Sequence, residues 1–168
     1  MQKFLIILAV FVMAGTTDVY AQTSASAFEI SNQSREIQRR ATVASNLKLS
    51  PKEEDKFWQR YDTYRAQAKI SEKKRFGLIS ELAENISLMS EKEADSLTTR
   101  ALKLELNNKK LKQKHMLGLK RVLDDANLFK YYQIETKLDA IFEYGLTKNI
   151  PLVSTDGKKL IDLQKVSK

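Results

Sequence analysis

Residues 47–64 read LKLSPKEEDKFWQRYDTY, and this stretch carries the signals that decide the fold. Ser50 and Glu53 have the spacing of a capping box, in which each side chain bonds the backbone N–H of the other residue at the start of a helix. Pro51 suits the first helical position, because the N–H that proline lacks has no partner there. The stretch therefore predicts a helix that begins directly after Ser50.

A similar phrase, SLMSEKEADSLTTR, occupies residues 87–100. Ser90 and Glu93 repeat the capping-box spacing. Glu91 and Glu93 also place negative charge near the positive end of the helix dipole. A second long helix is therefore predicted to begin after Ser90.

The spacing of apolar residues predicts an all-α fold of four helices, over residues of about 32–46, 51–86, 91–123 and 125–146. The second helix opens with aromatic residues that are expected in the core, namely Phe57, Trp58, Tyr61 and Tyr64. The first offers a common face made by Ile37, Arg40, Ala41 and Ala44. Only a few residues near 88–90 separate the second helix from the third, so these two should form a long antiparallel hairpin.

Helix length bears on shape and assembly. A helix of more than thirty residues extends ~45–50 Å at 1.5 Å per residue, which is more than a compact bundle of this size requires. An elongated shape or a homodimer is therefore expected.

The first residues have the composition of a secretory signal peptide. Lys3 supplies a positive start, Phe4–Ala14 is apolar, and Val19 and Ala21 occupy the −3 and −1 positions of a cleavage site after Ala21. The apolar run is about half the ~20 residues that span a bilayer, so cleavage is expected rather than an uncleaved membrane anchor. This pattern predicts a periplasmic protein.

The expected organisation has four parts: a signal peptide at 1–21, a flexible segment at 22–31, a helical domain at 32–153 and a C-terminal tail at 154–168. The chain contains only five glycines and two prolines, and so few helix-breaking residues favour long helices.

The formal net charge is +8, and there is no cysteine. Neither a disulfide nor a lipidated cysteine is therefore available.

Few residues could support catalysis. The single histidine, His115, has no acidic residue within a helical turn, so it is expected on a helix seam or the surface rather than in a hydrolytic triad. The glycines are scattered, which argues against a phosphate-binding loop. One histidine and no cysteine offer little to a soft metal, and the acidic runs 53–55 and 124–125 are better explained as helix caps. No enzyme activity, cofactor or metal is predicted.

Positive charge is concentrated in two segments. Residues 100–121 contain eight Lys and Arg and one acid, and residues 65–75 contain five and one. Such an excess either keeps a helix face soluble or attracts an anionic partner. Nucleic acid is a frequent partner of such charge, but export argues against it. The predicted partner-binding residues are Arg65, Lys69, Lys73, Lys74, Arg75, Arg100, Lys103, Lys109, Lys110, Lys112, Lys114, Lys120 and Arg121. Leu102, Leu106 and Leu117 interleave with them.

Together these motifs resemble those of the small periplasmic proteins related to Spy and CpxP, in the branch common in Bacteroidetes. Those proteins carry an LTxxQ motif twice. The corresponding positions here are Leu49, Ser50 and Glu53, and then Met89, Ser90 and Glu93. Serine for threonine and glutamate for glutamine keep the capping chemistry. The aromatic stripe is similar to their FWxxYxxY block, and residues 129–135, FKYYQIE, resemble their last-helix signature.

The resemblance covers residues of about 32–153 and implies a cradle-like, all-α homodimer. It further implies an ATP-independent chaperone, or holdase, that binds unfolded or stress-damaged proteins. Other relatives suggest an alternative, a sensor of envelope or metal stress that acts beside an extracytoplasmic-function sigma factor. On either reading the partners are unfolded or envelope proteins, and no stable membrane anchor is expected.

Overall fold

A computed structural model describes residues 17–85 and 89–148, with side chains at 29–84 and 89–148. Within these residues the chain forms four α-helices and no strand. The helices are α1 Thr17–Asn46, α2 Pro51–Asn85, α3 Glu91–Leu119 and α4 Asp125–Thr147. The predicted all-α fold of four helices is confirmed. Three predicted parts of the chain lie outside the described residues, namely residues 1–16 of the expected signal peptide, residues 86–88 and the expected tail at 154–168.

Two helix boundaries differ from the predicted ones. The helix expected to start near residue 32 begins at Thr17, because residues 17–31 contain no proline or glycine to stop it. The helix expected to reach residue 123 ends at Leu119. The backbone N–H groups of Val122 and Leu123 both donate to the Leu119 carbonyl, at 2.8 and 2.9 Å, and this tight turn ends the helix. The turn leaves Asp124 free to adopt the extended conformation of an N-cap.

The predicted caps are present at both helix starts, with one difference. At Ser90 the full capping box forms: the hydroxyl accepts from the Glu93 N–H, and the Glu93 carboxylate accepts from the Ser90 N–H at 2.8 Å. The Ser90 hydroxyl also donates to the Glu93 carboxylate, at 2.7 Å. This hydrogen bond, followed by the one from the Ser90 N–H, holds the pKa of Glu93 below its usual value. At Ser50 the hydroxyl and the N–H likewise donate to the Glu53 carboxylate, at 2.6 and 2.8 Å. The difference is that the Glu53 N–H there donates to the Ser50 carbonyl.

Replacing Ser90 by alanine is expected to lower the free energy of unfolding by about 1 kcal/mol, because an N–H of the first turn of α3 loses its acceptor. Chemical denaturation of the variant measures this loss. Ser96→Ala is the matched control, since Ser96 is exposed inside the same helix and alanine is the better helix former there. Equal losses in the two variants would contradict a capping role for Ser90.

The chain separates after Thr42 into two compact units, and α1 supplies the described residues of the first. The face predicted for α1 is exposed, at Ile37, Arg40, Ala41 and Ala44. Two alanines and an arginine give this face little apolar area. Val43 and Leu47, four positions apart, form a larger apolar patch and are buried in the second unit.

In the second unit, α2 and α3 run antiparallel. Glu81, near the end of α2, pairs with Arg100, near the start of α3. Farther along, the Tyr64 ring of α2 stacks on His115 of α3 with centroids 4.2 Å apart. The predicted hairpin is confirmed, whereas the homodimer stays a prediction.

Helix α4 runs antiparallel to α3 and therefore parallel to α2. Lys112 Nζ lies 2.8 Å from Asp139 Oδ2, and His115 Nε2 lies 2.9 Å from the Tyr131 hydroxyl oxygen. As the residue number rises on α3, it falls on α4. The three helices thus alternate in direction, up, down and up.

The apolar core gathers where α2 begins, α3 ends and α4 begins. Its buried members are Val43, Leu47, Phe57, Tyr61, Leu119, Leu123 and Tyr131. The Phe57 ring makes edge contacts with Trp58 and Tyr131, with centroids 5.0 and 5.2 Å apart. Of the aromatic residues expected in the core, Phe57, Tyr61 and Tyr64 are buried, while Trp58 is half-buried.

Candidate functional site

Four of the basic residues predicted to bind a partner are held in ion pairs inside the second unit. These are Arg65 with Glu72 at 2.7 Å, Arg75 with Glu143 at 2.5 Å, Arg100 with Glu81 at 2.5 Å, and Lys112 with Asp139 at 2.8 Å. Arg65 is also buried, with 4% of its surface exposed. To meet a partner, Arg65 and Arg75 would have to leave these pairs, so the α2 part of the predicted surface is the weaker part.

The other predicted basic residues are exposed, at Lys69, Lys73, Lys74, Lys103, Lys109, Lys110, Lys114, Lys120 and Arg121. Most of them belong to α3 or to the turn that follows it. The predicted concentration of accessible positive charge therefore lies mainly on α3.

Three exposed leucines lie on the side of α3 that points away from the core. Leu102, Leu106 and Leu117 are 61%, 52% and 54% exposed. At about 100° per residue, they fall within a sector of about 60°. This sector is roughly opposite to the buried side of the helix. We call it the outer face of α3.

Lysines share the outer face of α3 with these leucines. Lys109 and Lys120 fall in or beside the same sector by helical spacing, and Lys110 flanks it. Lysine stems are apolar, so a lysine can extend the leucine surface while its ammonium group stays in water. Such a face can contact apolar side chains and neutralise carboxylates of one flexible chain at the same time.

His115 is a core residue. It is buried, its Nε2 is hydrogen-bonded to the Tyr131 hydroxyl at 2.9 Å, and its ring is stacked on Tyr64. Burial, assisted by the positive charges of Arg60 and Arg65, lowers the pKa of His115 to about 4. The predicted seam position is confirmed, and the imidazole is neutral at pH 7.

A cleft with both charged and apolar walls, which the sequence did not predict, lies between α2, α3 and α4. Its volume is about 510 Å³, and three ion pairs line it, those of Arg65, Arg75 and Lys112 with their partners. Two of these pairs join different helices, and the third joins residues seven positions apart. Oppositely charged residues within one helix usually pair at a spacing of three or four positions. None of these three pairs has that spacing, so the sequence pattern does not indicate them.

Clusters of metal ligands and membrane-spanning helices are both absent from residues 17–85 and 89–148. No group of three or more His, Cys, Asp or Glu residues there has an arrangement that could hold a metal ion. Nor does any helix in this part of the chain combine the length and the hydropathy of a membrane span.

Comparison of the chain with models of known protein families, with curated proteins and with solved structures found no match. A functional proposal therefore depends on the outer face of α3 and on the motifs of the sequence.

Proposed function

We propose that the protein is an exported, ATP-independent chaperone that holds unfolded proteins on the outer face of α3. The observation that carries this proposal is the set of three exposed leucines among lysines on one long helix. The resemblance of the capping and aromatic motifs to those of Spy- and CpxP-related proteins supports the same reading.

Binding on this face would be passive. Unfolded chains expose apolar side chains, which the leucines can cover, and burial of apolar surface supplies the attraction. Lysines raise the encounter rate with acidic segments and keep the complex soluble. Because exposed charges are screened by salt, holding of acidic clients should weaken as ionic strength rises.

Light scattering from an aggregating acidic client tests the proposal. The protein is purified in the processed form that its host produces. It is then mixed with a model client, without ATP, at low and at high salt. We expect suppression of aggregation at near-stoichiometric amounts, and a weaker effect at high salt.

A pair of matched variants tests the role of α3. Lys109→Gln with Lys110→Gln is expected to weaken suppression for the acidic client. Lys130→Gln with Lys137→Gln removes the same charge from exposed positions of α4 and should leave suppression unchanged. Equal effects of the two pairs would contradict a specific role for α3.

Absence of suppression at every ratio would contradict the chaperone proposal as a whole. It would favour the alternative, an envelope-stress or metal-stress sensor acting with an extracytoplasmic-function sigma factor. Such a sensor would bind one envelope protein with a defined stoichiometry, which a pull-down measures.

A further inference from the structure

The attachment of α4 to its neighbours changes along its length. Leu128, Tyr131 and Ile134 belong to or pack against the apolar core. Farther on, Asp139 and Glu143 join α4 to α3 and α2 through ion pairs. We call residues 125–135 proximal α4 and residues 139–147 distal α4.

Distal α4 buries few apolar side chains. Ile141 and Tyr144 are 68% and 67% exposed, and Phe142 and Leu146 are half-buried. Its two ion pairs are partly open to water, with 42% of the Glu143 side chain and 37% of the Asp139 side chain exposed. Partly exposed ion pairs stabilise an interface less than apolar burial does.

The cleft of about 510 Å³ lies between distal α4 and the α2–α3 hairpin. The charged side chains that face it are Arg65, Glu72 and Arg75 from α2, Glu105, Lys109 and Lys112 from α3, and Asp139 and Glu143 from α4. Burial raises the pKa of Glu143 despite the opposing charge of Arg75. The closed cleft therefore holds the charged carboxylate less favourably than water does.

Two polar atoms of the cleft walls have no hydrogen-bond partner within the described residues. They are Arg75 Nε and Asn108 Oδ1, and both are inaccessible to water. A buried polar atom without a partner destabilises the state that buries it. Separation of distal α4 from the hairpin would give both atoms access to water.

We propose that distal α4 opens locally away from the α2–α3 hairpin while proximal α4 stays in the core. Opening exposes the apolar walls of the cleft, which include Tyr64, Leu111 and Phe142. Once separated from the hairpin, distal α4 loses the tertiary packing that supplies most of the stability of a helix in a protein, so its hydrogen bonds open more readily. The amides of distal α4 therefore exchange with solvent when it opens. This opening does not depend on the proposed chaperone function.

Hydrogen exchange measured by mass spectrometry on the full chain tests the proposal. We expect peptides from distal α4 to exchange at least tenfold faster than peptides from proximal α4, after correction for intrinsic rates. Comparable protection in both parts would overturn the proposal.

An α3 variant separates opening of the cleft from simple fraying of the helix end. Asn108→Leu removes the buried acceptor, so the closed state gains stability and exchange in distal α4 should slow by about tenfold. Asn107→Leu makes the same change at an exposed neighbour and should leave that exchange unchanged. If leucine does not fit and the variant fails to fold, Asn108→Ala removes the same acceptor with less volume and should slow exchange too. No slowing in a folded Asn108 variant would overturn the proposal, since fraying of α4 alone is indifferent to α3.

Discussion

Replacing Phe57 by alanine is expected to lower the free energy of unfolding by about 3–5 kcal/mol. The Phe57 side chain is fully buried and touches the rings of Trp58, Tyr61 and Tyr131. Its removal leaves a cavity where three helices meet, and the rigid aromatic neighbours can fill only part of it. Urea denaturation followed by circular dichroism measures the loss.

Phe129→Ala is the matched control for this prediction. It makes the same chemical change on α4, but Phe129 is 60% exposed. Its effect should stay within about 0.5 kcal/mol, as for other surface substitutions. A loss at Phe129 as large as the loss at Phe57 would contradict the position assigned to the core.

Acid is expected to destabilise the fold through His115. The pKa of this residue is lowered to about 4 from an ordinary value of 6.5, chiefly by burial. Between these values the unfolded chain binds a proton that the folded chain does not. The free energy of unfolding therefore keeps the full contribution of neutral His115 above about pH 6.5. It falls as the pH drops toward 4, by about 1.4 kcal/mol per pH unit at most. Over this range the contribution of His115 that is lost amounts to about 3 kcal/mol.

Comparison with His115→Gln isolates this contribution. Glutamine can still bond the Tyr131 hydroxyl but does not titrate. We expect the free energy of unfolding of the natural protein to fall between pH 7 and 5, and that of the variant to change much less. The same pH dependence in both proteins would contradict the burial of a neutral His115.

Local signals explain which parts of the fold could be predicted from the sequence. Ser50 and Ser90 start helices through contacts with residues three positions away. The starts of α2 and α3 are therefore encoded in a few neighbouring residues and can be read from the sequence. The spacing of Phe57, Tyr61 and Tyr64 places them on one face of a helix before any partner is known. The start of α1 could not be predicted, because no local signal marks it and the polar residues before Asn32 favour a flexible segment.

The candidate site was predicted only in part, because ion pairs between helices depend on how the helices pack. The sequence showed that Arg75, Arg100 and Lys112 are basic, but not that carboxylates of other helices face them. Helical spacing alone relates Leu102 to Leu106. Their exposure could be known only when the buried side of α3 was known.

The most direct test of the proposed function uses a chain that has no cysteine of its own. A single cysteine at Gln113, an exposed position between Leu106 and Leu117 on α3, is labelled with a photoactivated cross-linker and mixed with an unfolded acidic client. A cysteine at Ala66, exposed on α2, is the control. We predict strong cross-linking to the client from Gln113→Cys, little from Ala66→Cys, and a lower yield at high salt. Equal yields from both positions, or none from Gln113→Cys, would contradict binding on the outer face of α3.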